Sequence, residues 1–269
     1  MLKFKQKLLF ISPIILIFFY LFFYASKLIR TTVISDSKDR FGTNFSYKIY
    51  DSQNNILSKS SRKFDIENES ERVPTQIKNA FISAEDKRFL NHNGIDIIGS
   101  SRAFINNIQS GSIREGGSTI TQQVSRLIFL NNEISITRKI KELFIAIIID
   151  YKYSKNQILK LYLNKIYLGE GAYGINEAAQ IYFGKLINEL TLSEIALLAG
   201  LAPAPNFYSP YQNYDLALNK RNQILKLMYL DGHINKKDYE SALNEKIIII
   251  NQKYNKDGLL INYILNESN

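Results

Sequence analysis

The sequence predicts an all-α domain that follows an apolar segment at the N-terminus. From about residue 75 to residue 244 the apolar residues recur at helical spacing almost throughout. Glycine and proline mark the breaks between these segments, at Gly111, Gly116–Gly117, Gly169–Gly174 and Ala202–Pro205. The chain has 269 residues, of which 45% are hydrophobic, so it is long enough to bury a core. We find no internal repeat.

The composition excludes several kinds of site. There is no Cys, which rules out disulfides and thiolate metal sites, and only His92 and His233 are available to a His-rich zinc site. The net charge of +9 favours a polyanionic partner such as a nucleic acid, an anionic lipid or a pyrophosphate. Because the basic residues are scattered and no nucleic-acid-binding motif is found, membrane lipid is favoured over nucleic acid.

The N-terminal apolar segment has the length of a membrane-spanning helix. Leu8–Ala25 is a run of 18 uncharged residues. Lys3, Lys5 and Lys7 precede it, which favours a cytoplasmic N-terminus, although Lys27 follows closely. The alternative is a cleaved signal peptide, but the run is longer than a usual signal core and no small-residue cleavage site follows. We therefore predict an uncleaved single-pass anchor within residues 1–30.

A polar stalk is predicted between this anchor and the helical domain. Residues 31–73 are rich in Ser, Asn and Asp. Phe45–Tyr50 alternates like a short strand, and Ile56–Leu57 has the composition of the start of a return strand. Pro74 suits the first turn of a helix. The predicted domain covers residues 74–245, and residues 246–269 form a tail.

Within this domain the pattern predicts nine helices. A further string, Gly169–Gly174, fits G-x-G-x-x-G, but no strand precedes it, so a turn is favoured over a nucleotide site. The predicted helices cover residues 75–90, 97–109, 119–130, 137–152, 155–167, 175–183, 191–201, 215–230 and 235–244.

The first motif is a pair of carboxylates near an aromatic ring and an imidazole. Glu85, Phe89 and His92 are spaced i, i+4, i+7, which predicts a shared helix face, and Asp86 follows Glu85. Such a carboxylate is suited to acid–base chemistry, but the same spacing also fits a solvated helix with a stray His. The string E-D-x-x-F-x-x-H-x-G-x-D resembles the first motif of the peptidoglycan glycosyltransferases, which polymerise lipid II.

The second motif is a glycine turn before a helix. Ser118 or Thr119 would cap the helix, whose free N–H groups suit anions or sugar hydroxyls. Ser118, Gln122 and Arg126 are spaced i, i+4, i+8, which predicts one polar stripe. The alternative is an ordinary capped surface helix. The string G-G-S-T-I-T-Q-Q, which ends at Gln123, matches the second motif of the same family.

The third motif is a charged cluster on one helix face. Arg138, Lys139 and Glu142 are spaced so that both cations face the carboxylate. From spacing alone an ordinary helix salt bridge is favoured, whereas the string resembles R-K-x-x-E of the family. Glu85 and Glu142 are 57 residues apart, as the family motifs require.

Two weaker motifs follow and include departures from the family pattern. Ile158–Asn164 resembles I-L-E-x-Y-L-N, with Lys160 where the family usually has Glu. Lys220–Met228 resembles R-R-x-x-V-L-x-x-M, with Lys220 in place of the first Arg. The resemblance covers residues 74–243.

The resemblance implies a lysozyme-like fold of two lobes, the smaller of which touches the membrane. It implies inverting glycosyl transfer with Glu85 as general base. Glu142 would either lie near the developing positive charge or hold a divalent ion, Mg²⁺ or Mn²⁺, on the pyrophosphate. The sequence shows no metal site made of protein ligands alone. Arg126, Arg138 and Lys139 would neutralise the pyrophosphate. The further substrate-binding residues that it implies are Asp86, Phe89, His92, Ser118, Thr119, Gln122, Gln123 and Asn164.

The resemblance also implies a location and partners. The domain would lie on the outer side of the bacterial cytoplasmic membrane and act on lipid II and the growing glycan strand, beside other cell-wall synthesis proteins. A lysozyme-like hydrolase and a non-catalytic scaffold remain as alternatives. The stalk resembles the corresponding segment of class A penicillin-binding proteins. Two interpretations stay open: the chain is a shortened relative of these proteins, or it is an excerpt of a longer one. The apolar run 143–149 is predicted to be core, while core and membrane contact stay open for 127–136.

Overall fold

The computed structural model describes residues 44–50, 56–63, 73–111, 116–130 and 135–250. Among these residues no helix is both long enough and apolar enough to cross a membrane. The predicted span Leu8–Ala25 lies outside them, as does the tail beyond residue 250.

A β-hairpin precedes the helices. Strand β1 (Asn44–Tyr50) pairs antiparallel with β2 (Ile56–Lys63), with Asn44 opposite Lys63 and an irregularity at Tyr50. β1 covers the segment whose alternation predicted a strand, and β2 extends the predicted return strand. Both lie within the predicted stalk.

From residue 75 onward the described chain is helical, which confirms the all-α prediction for this domain. Apart from α1, the helices begin and end within one or two residues of their predicted bounds. The two-lobed, lysozyme-like arrangement stays a prediction. The helices are α1 (Thr75–Glu85), α2 (Ile97–Ser110), α3 (Ile120–Phe129), α4 (Ile136–Lys152), α5 (Lys155–Lys165), α6 (Ile175–Phe183), α7 (Leu192–Leu201), α8 (Tyr214–Leu230) and α9 (Lys236–Asn244).

Local sequence explains most helix starts. In a capping box the N-cap hydroxyl accepts from the backbone three residues on, and the side chain there returns a bond to the N-cap. Asp96 and Ser135 cap α2 and α4 with side-chain oxygens. Capping boxes start three helices, with Thr119 and Gln122 at α3, Ser154 and Gln157 at α5, and Thr191 and Glu194 at α7.

The core is built around α7, which is buried along its whole length from Ser193 to Leu201. It packs against α1 and α8, while α3 packs against α4 and α5. Ile145 and Ile149 of α4 are buried, in agreement with the core interpretation of residues 143–149. In contrast, Ile136 is 82% exposed at the start of α4, and both the core and the membrane interpretation of residues 127–136 stay open.

A buried arginine joins the last two helices to this core. Arg221 of α8 is 4% exposed and donates to the Ser193 hydroxyl of α7 at 2.6 Å. Its guanidinium also donates to the carbonyls of Ala242, Leu243 and Glu245 at the end of α9. These carbonyls have no partner within the helix, so Arg221 caps the C-terminus of α9.

Candidate active site

The first motif is helical only up to its first carboxylate. α1 ends at Glu85, and Asp86 has an extended φ of −157°. The predicted helix to residue 90 is therefore wrong, and so is the shared helix face of Glu85, Phe89 and His92. Phe89 starts a short 3-10 turn, is fully buried, and contacts the His92 ring edge-to-face with centroids 6.2 Å apart.

The cause of this turn is the set of hydrogen bonds made by Asp86. Its carboxylate accepts from His92 Nε2 at 2.9 Å and from the backbone N–H of Ile120 at 3.0 Å. Asp86 and His92 are both buried, at 7% and 8% exposure. Because Ile120 is the first residue of α3, Asp86 fixes the start of the second motif against the first.

Glu85 keeps its carboxylate at the surface of a cleft and is hydrogen-bonded by a side chain of α3. Gln123 Nε2 donates to Glu85 Oε2 at 2.7 Å. Burial raises the pKa of the Glu85 carboxyl above its ordinary value, and the charge of Asp86 acts in the same direction. The Gln123 hydrogen bond and the charges of Lys220 and Arg126 oppose this rise.

Sequence reasoning missed two residues that interact electrostatically with Glu85. Lys220 belongs to the weak fifth motif, and its charge interacts with Glu85 because α8 packs against α1. Tyr162 of the fourth motif is fully buried, and its hydroxyl has no hydrogen-bond partner among the described residues. Burial, and then the charge of Glu85, raise the pKa of Tyr162 well above its usual range.

The second motif contributes partly to the lining of a cleft and partly to the start of α3. Thr119 caps α3 and donates to the Gly94 carbonyl at 2.6 Å, while Gln122 accepts from the Thr119 N–H at 2.7 Å. Since Gln122 is 2% exposed, the predicted stripe of Ser118, Gln122 and Arg126 is wrong. α3 begins after Ser118, so Ser118 is not part of the helix, and the side chain of Gln122 is used in the capping box with Thr119.

The third motif has the predicted salt-bridge geometry. Arg138 Nη1 donates to Glu142 Oε2 at 2.9 Å, and Lys139 Nζ pairs with Glu142 Oε1. Glu142 is 2% exposed, so both of its oxygens are engaged inside the protein. Lys139 Nζ also donates to the Ser118 hydroxyl at 2.8 Å, which connects the third motif to the second.

One cleft collects groups from the first two motifs. Glu85 and Ser118 both line it, so the carboxylate with the raised pKa and the Lys139-bound hydroxyl face the same space. It also contains cations that the spacing analysis did not select. The polar and charged side chains that line the cleft besides these two are Asp86, Lys87, Arg88, Asp96, Ser100, Arg102 and Thr119.

The contacts of Asn164 are local. Its side chain donates to the Lys160 carbonyl one turn earlier in α5 at 2.9 Å. The backbone of Asn164 packs against Gly174, where φ is +88° and an added Cβ would approach the Asn164 carbonyl oxygen to 2.8 Å. The close approach of the Asn164 backbone thus requires a glycine at position 174.

The carboxylates of the site do not form a metal centre. Across the described residues no group of three or more His, Asp or Glu side chains is arranged to hold an ion. Glu142 is held by two cations, and Asp86 by His92 and Ile120. Both carboxylates are therefore already engaged by partners inside the protein.

Comparison with known proteins gives consistent matches. A family model described as Transglycosylase matches residues 53–229. Penicillin-binding protein 1A of Aquifex aeolicus is 46% identical over 186 residues, which are 69% of this chain and 25% of the relative. Penicillin-binding protein 1A of Escherichia coli is 42% identical over 200 residues, which are 74% of this chain and 24% of the relative.

A solved structure is also similar. The match to the crystal structure of penicillin-binding protein 1A from Haemophilus influenzae covers 77% of this chain and 21% of the solved chain, with 25% sequence identity and a TM-score of 0.43. The chain thus spans about a quarter of the length of these relatives. The family match extends over more than half of the chain and contains all five motifs. The chain belongs to the transglycosylase family, the peptidoglycan glycosyltransferases.

Proposed function

We propose that the chain transfers a growing glycan strand from undecaprenyl pyrophosphate to the 4-hydroxyl of lipid II, with inversion at the anomeric carbon. One observation carries this proposal: Glu85, with its raised pKa, lines the same cleft as the Lys139-bound hydroxyl of Ser118. An inverting transfer to a pyrophosphate leaving group requires a base for the attacking hydroxyl and cations that stabilise the leaving group.

Glu85 is the general base in this proposal. The acceptor 4-hydroxyl gives its proton to the Glu85 carboxylate while its oxygen attacks the anomeric carbon. The bond from that carbon to the pyrophosphate oxygen breaks, and the electron pair leaves with undecaprenyl pyrophosphate. A carboxyl whose pKa is raised by burial is a stronger base than an ordinary glutamate. The Gln123 hydrogen bond at 2.7 Å fixes the orientation of the carboxylate.

Arg138 and Lys139 stabilise the leaving pyrophosphate, with Arg126 as a third cation. The Arg138 side chain is 16% exposed and bonds to Glu142 through Nη1, and a guanidinium has further N–H donors that suit a phosphate oxygen. Glu142 holds both cations in place. This is a positioning role, different from the two roles that the sequence left open for Glu142, and no step here passes through a metal ion.

Several residues of the predicted substrate-binding set have a different role in this proposal. Asp86, His92, Thr119 and Gln122 make buried bonds that join the first motif to the start of α3. We assign them to holding the cleft in shape. Ser118, Gln123 and Arg126, which lie at the cleft or near Glu85, remain the candidates for substrate contact.

The proposal includes a membrane location. Leu8–Ala25 would anchor the chain in the bacterial cytoplasmic membrane, with the helical domain outside, where it meets lipid-linked substrates and other cell-wall synthesis proteins. A reporter that functions only after export, fused after residue 40, should be active. Activity of a matched reporter that functions only in the cytoplasm would contradict this topology.

The direct test is polymerisation of lipid II by the full chain in detergent, with Mg²⁺ or Mn²⁺ present. Glycan polymer and undecaprenyl pyrophosphate should form together, and Glu85→Gln should lower the rate by about 10²–10⁴-fold. Breakdown of finished glycan without synthesis would favour the hydrolase. Neither reaction, under conditions in which a known polymerase works, would favour the scaffold.

A further inference from the structure

An ion pair that lies outside all five motifs contacts the turn that carries the first motif. Lys155 is the first residue of α5, and Asp150 lies near the end of α4. Lys155 Nζ donates to Asp150 Oδ2 at 2.8 Å and to the His92 carbonyl at 2.6 Å. The same ammonium lies 4.7 Å from the centroid of the Phe89 ring. One side chain thus makes three contacts, two of which are with residues of the first motif.

The ion pair also contacts the second motif. Thr121, in the first turn of α3, donates to Asp150 Oδ2 at 2.9 Å. Thr121 is fully buried, and the side chains of Asp150 and Lys155 are 5% and 23% exposed. Because solvent and salt screen a largely buried pair only weakly, these contacts hold their partners firmly. The first-motif turn, α3, the end of α4 and the start of α5 therefore meet at one carboxylate and one ammonium.

Both ends of the hydrogen bond that orients Glu85 are connected to this ion pair. Gln123, which donates to Glu85 at 2.7 Å, lies on α3 two residues after Thr121. On the other side, Asp86 follows Glu85 in the chain and bonds to the His92 ring, while the His92 carbonyl accepts from the ion pair. A shift of the first-motif turn relative to α3 would therefore change the geometry at Glu85.

We propose that Lys155 is a positioning residue for the transferase reaction. It holds α3 through Asp150 and the first-motif turn through the His92 carbonyl. The inference rests on the proposed function, in which Glu85 is the general base. Among the described residues that line the cleft, neither Lys155 nor Asp150 is found, so the effect on Glu85 passes through their contacts and not through the substrate. A displacement of about 1 Å at a reacting group lowers a rate by about 10²-fold, which is the upper end of the expected effect.

The test is steady-state polymerisation of lipid II by the full chain in detergent, at a temperature at which thermal unfolding shows every variant to be folded. Lys155→Met keeps an apolar side chain beside Phe89 but removes the charge and the donors. It should lower kcat by about 10–10²-fold and change KM for lipid II by less than about threefold, because the base is displaced while the cleft residues that bind substrate are retained. Lys152→Met, at an exposed position of α4, is the matched control and should leave both constants unchanged.

Two further measurements separate positioning from a general loss of stability. If Lys155 acts through Asp150, the double variant Lys155→Met/Asp150→Asn should be no slower than the slower single variant, whereas independent effects on kcat would multiply. Amide hydrogen exchange should become faster in the first turn of α3, where the Ile120 N–H is bonded to Asp86. This change should occur in Lys155→Met and not in Lys152→Met.

Three results would overturn the inference. They are an unchanged kcat in Lys155→Met, rate losses that multiply in the double variant, and unchanged hydrogen exchange at the start of α3. If Lys155→Met does not fold, Thr121→Val removes one donor to Asp150 and should lower kcat with KM retained; an unchanged kcat there would overturn the inference equally. An unmodified chain that does not polymerise lipid II, or near-normal turnover of Glu85→Gln, would instead refute the proposed function, so the two failures are distinguishable.

Discussion

Replacing Glu142 by Gln is expected to slow polymerisation strongly while the protein still folds. The carboxylate is 2% exposed and pairs with Arg138 through one oxygen and with Lys139 through the other. A glutamine keeps the shape but has only one acceptor oxygen, so one cation loses its partner and faces an amide N–H. The change therefore tests whether Glu142 acts by holding the cations.

The magnitude follows from the exposure of the partners. Removing one member of a fully buried pair costs about 3–5 kcal/mol, but the side chains of Arg138 and Lys139 are 16% and 42% exposed and are partly rehydrated. We expect a loss of about 2 kcal/mol in the free energy of unfolding, which lowers Tm by about 4–8 °C. The rate should fall by about 10²–10³-fold, the usual cost of losing a group that stabilises developing charge.

The assay is lipid II polymerisation at increasing Mg²⁺, with thermal unfolding measured in parallel. Glu240→Gln, which removes an exposed i, i+4 partner of Lys236, is the matched control and should change both quantities little. The Glu142→Gln rate should stay low at every Mg²⁺ concentration. Recovery with added Mg²⁺ would show that Glu142 binds a divalent ion and would refute the assignment of this residue to the two cations.

Three further predictions concern stability, each measured as Tm. Burial raises the Glu85 pKa in the folded state, so the ionised carboxylate destabilises the fold at neutral pH, and the stability present below the ordinary glutamate pKa is lost as pH rises. Glu85→Gln should therefore raise Tm at pH 7 but not at acidic pH; no gain at pH 7 would contradict this reasoning. Asp86→Asn should lower Tm and activity together, because hydrogen bonds to a charged group contribute about 1.5–3 kcal/mol. Gly94→Ala should lower Tm more than Gly232→Ala, since both have positive φ but only the first would bring a Cβ to 2.6 Å from the Ala146 carbonyl. Equal losses in the two glycine variants would exclude a role for that close approach.

The helix bounds were predictable because their signals are local. Thr119 with Gln122, and Thr191 with Glu194, are capping boxes that can be found in the sequence. The end of α1 was not predictable in this way. It depends on a hydrogen bond from Ile120 to Asp86, 34 residues away, and no local pattern indicates such a partner.

The same limit applies to the candidate site. The pairing of Arg138 and Lys139 with Glu142 lies within one helix turn, so spacing alone identified it. The effect of Lys220 on Glu85 depends on how α8 packs against α1, and the burial of Gln122 depends on where α3 begins. Residue spacing along a single helix therefore identified the salt bridges of the third motif. For the second motif, it wrongly predicted that Gln122 lies on a polar stripe with Ser118 and Arg126.

The adjacent carboxylates Glu85 and Asp86 show how the structure divides a motif between chemistry and support. The oxygens of Asp86 are bonded inside the protein to His92 and to the backbone N–H of Ile120, so we assign Asp86 to supporting the site. Glu85 accepts one hydrogen bond from Gln123 and lines the cleft, where burial makes it the better base. Under the proposed function, Asp86 therefore supports the fold and the activity together, whereas Glu85 acts on the reaction itself.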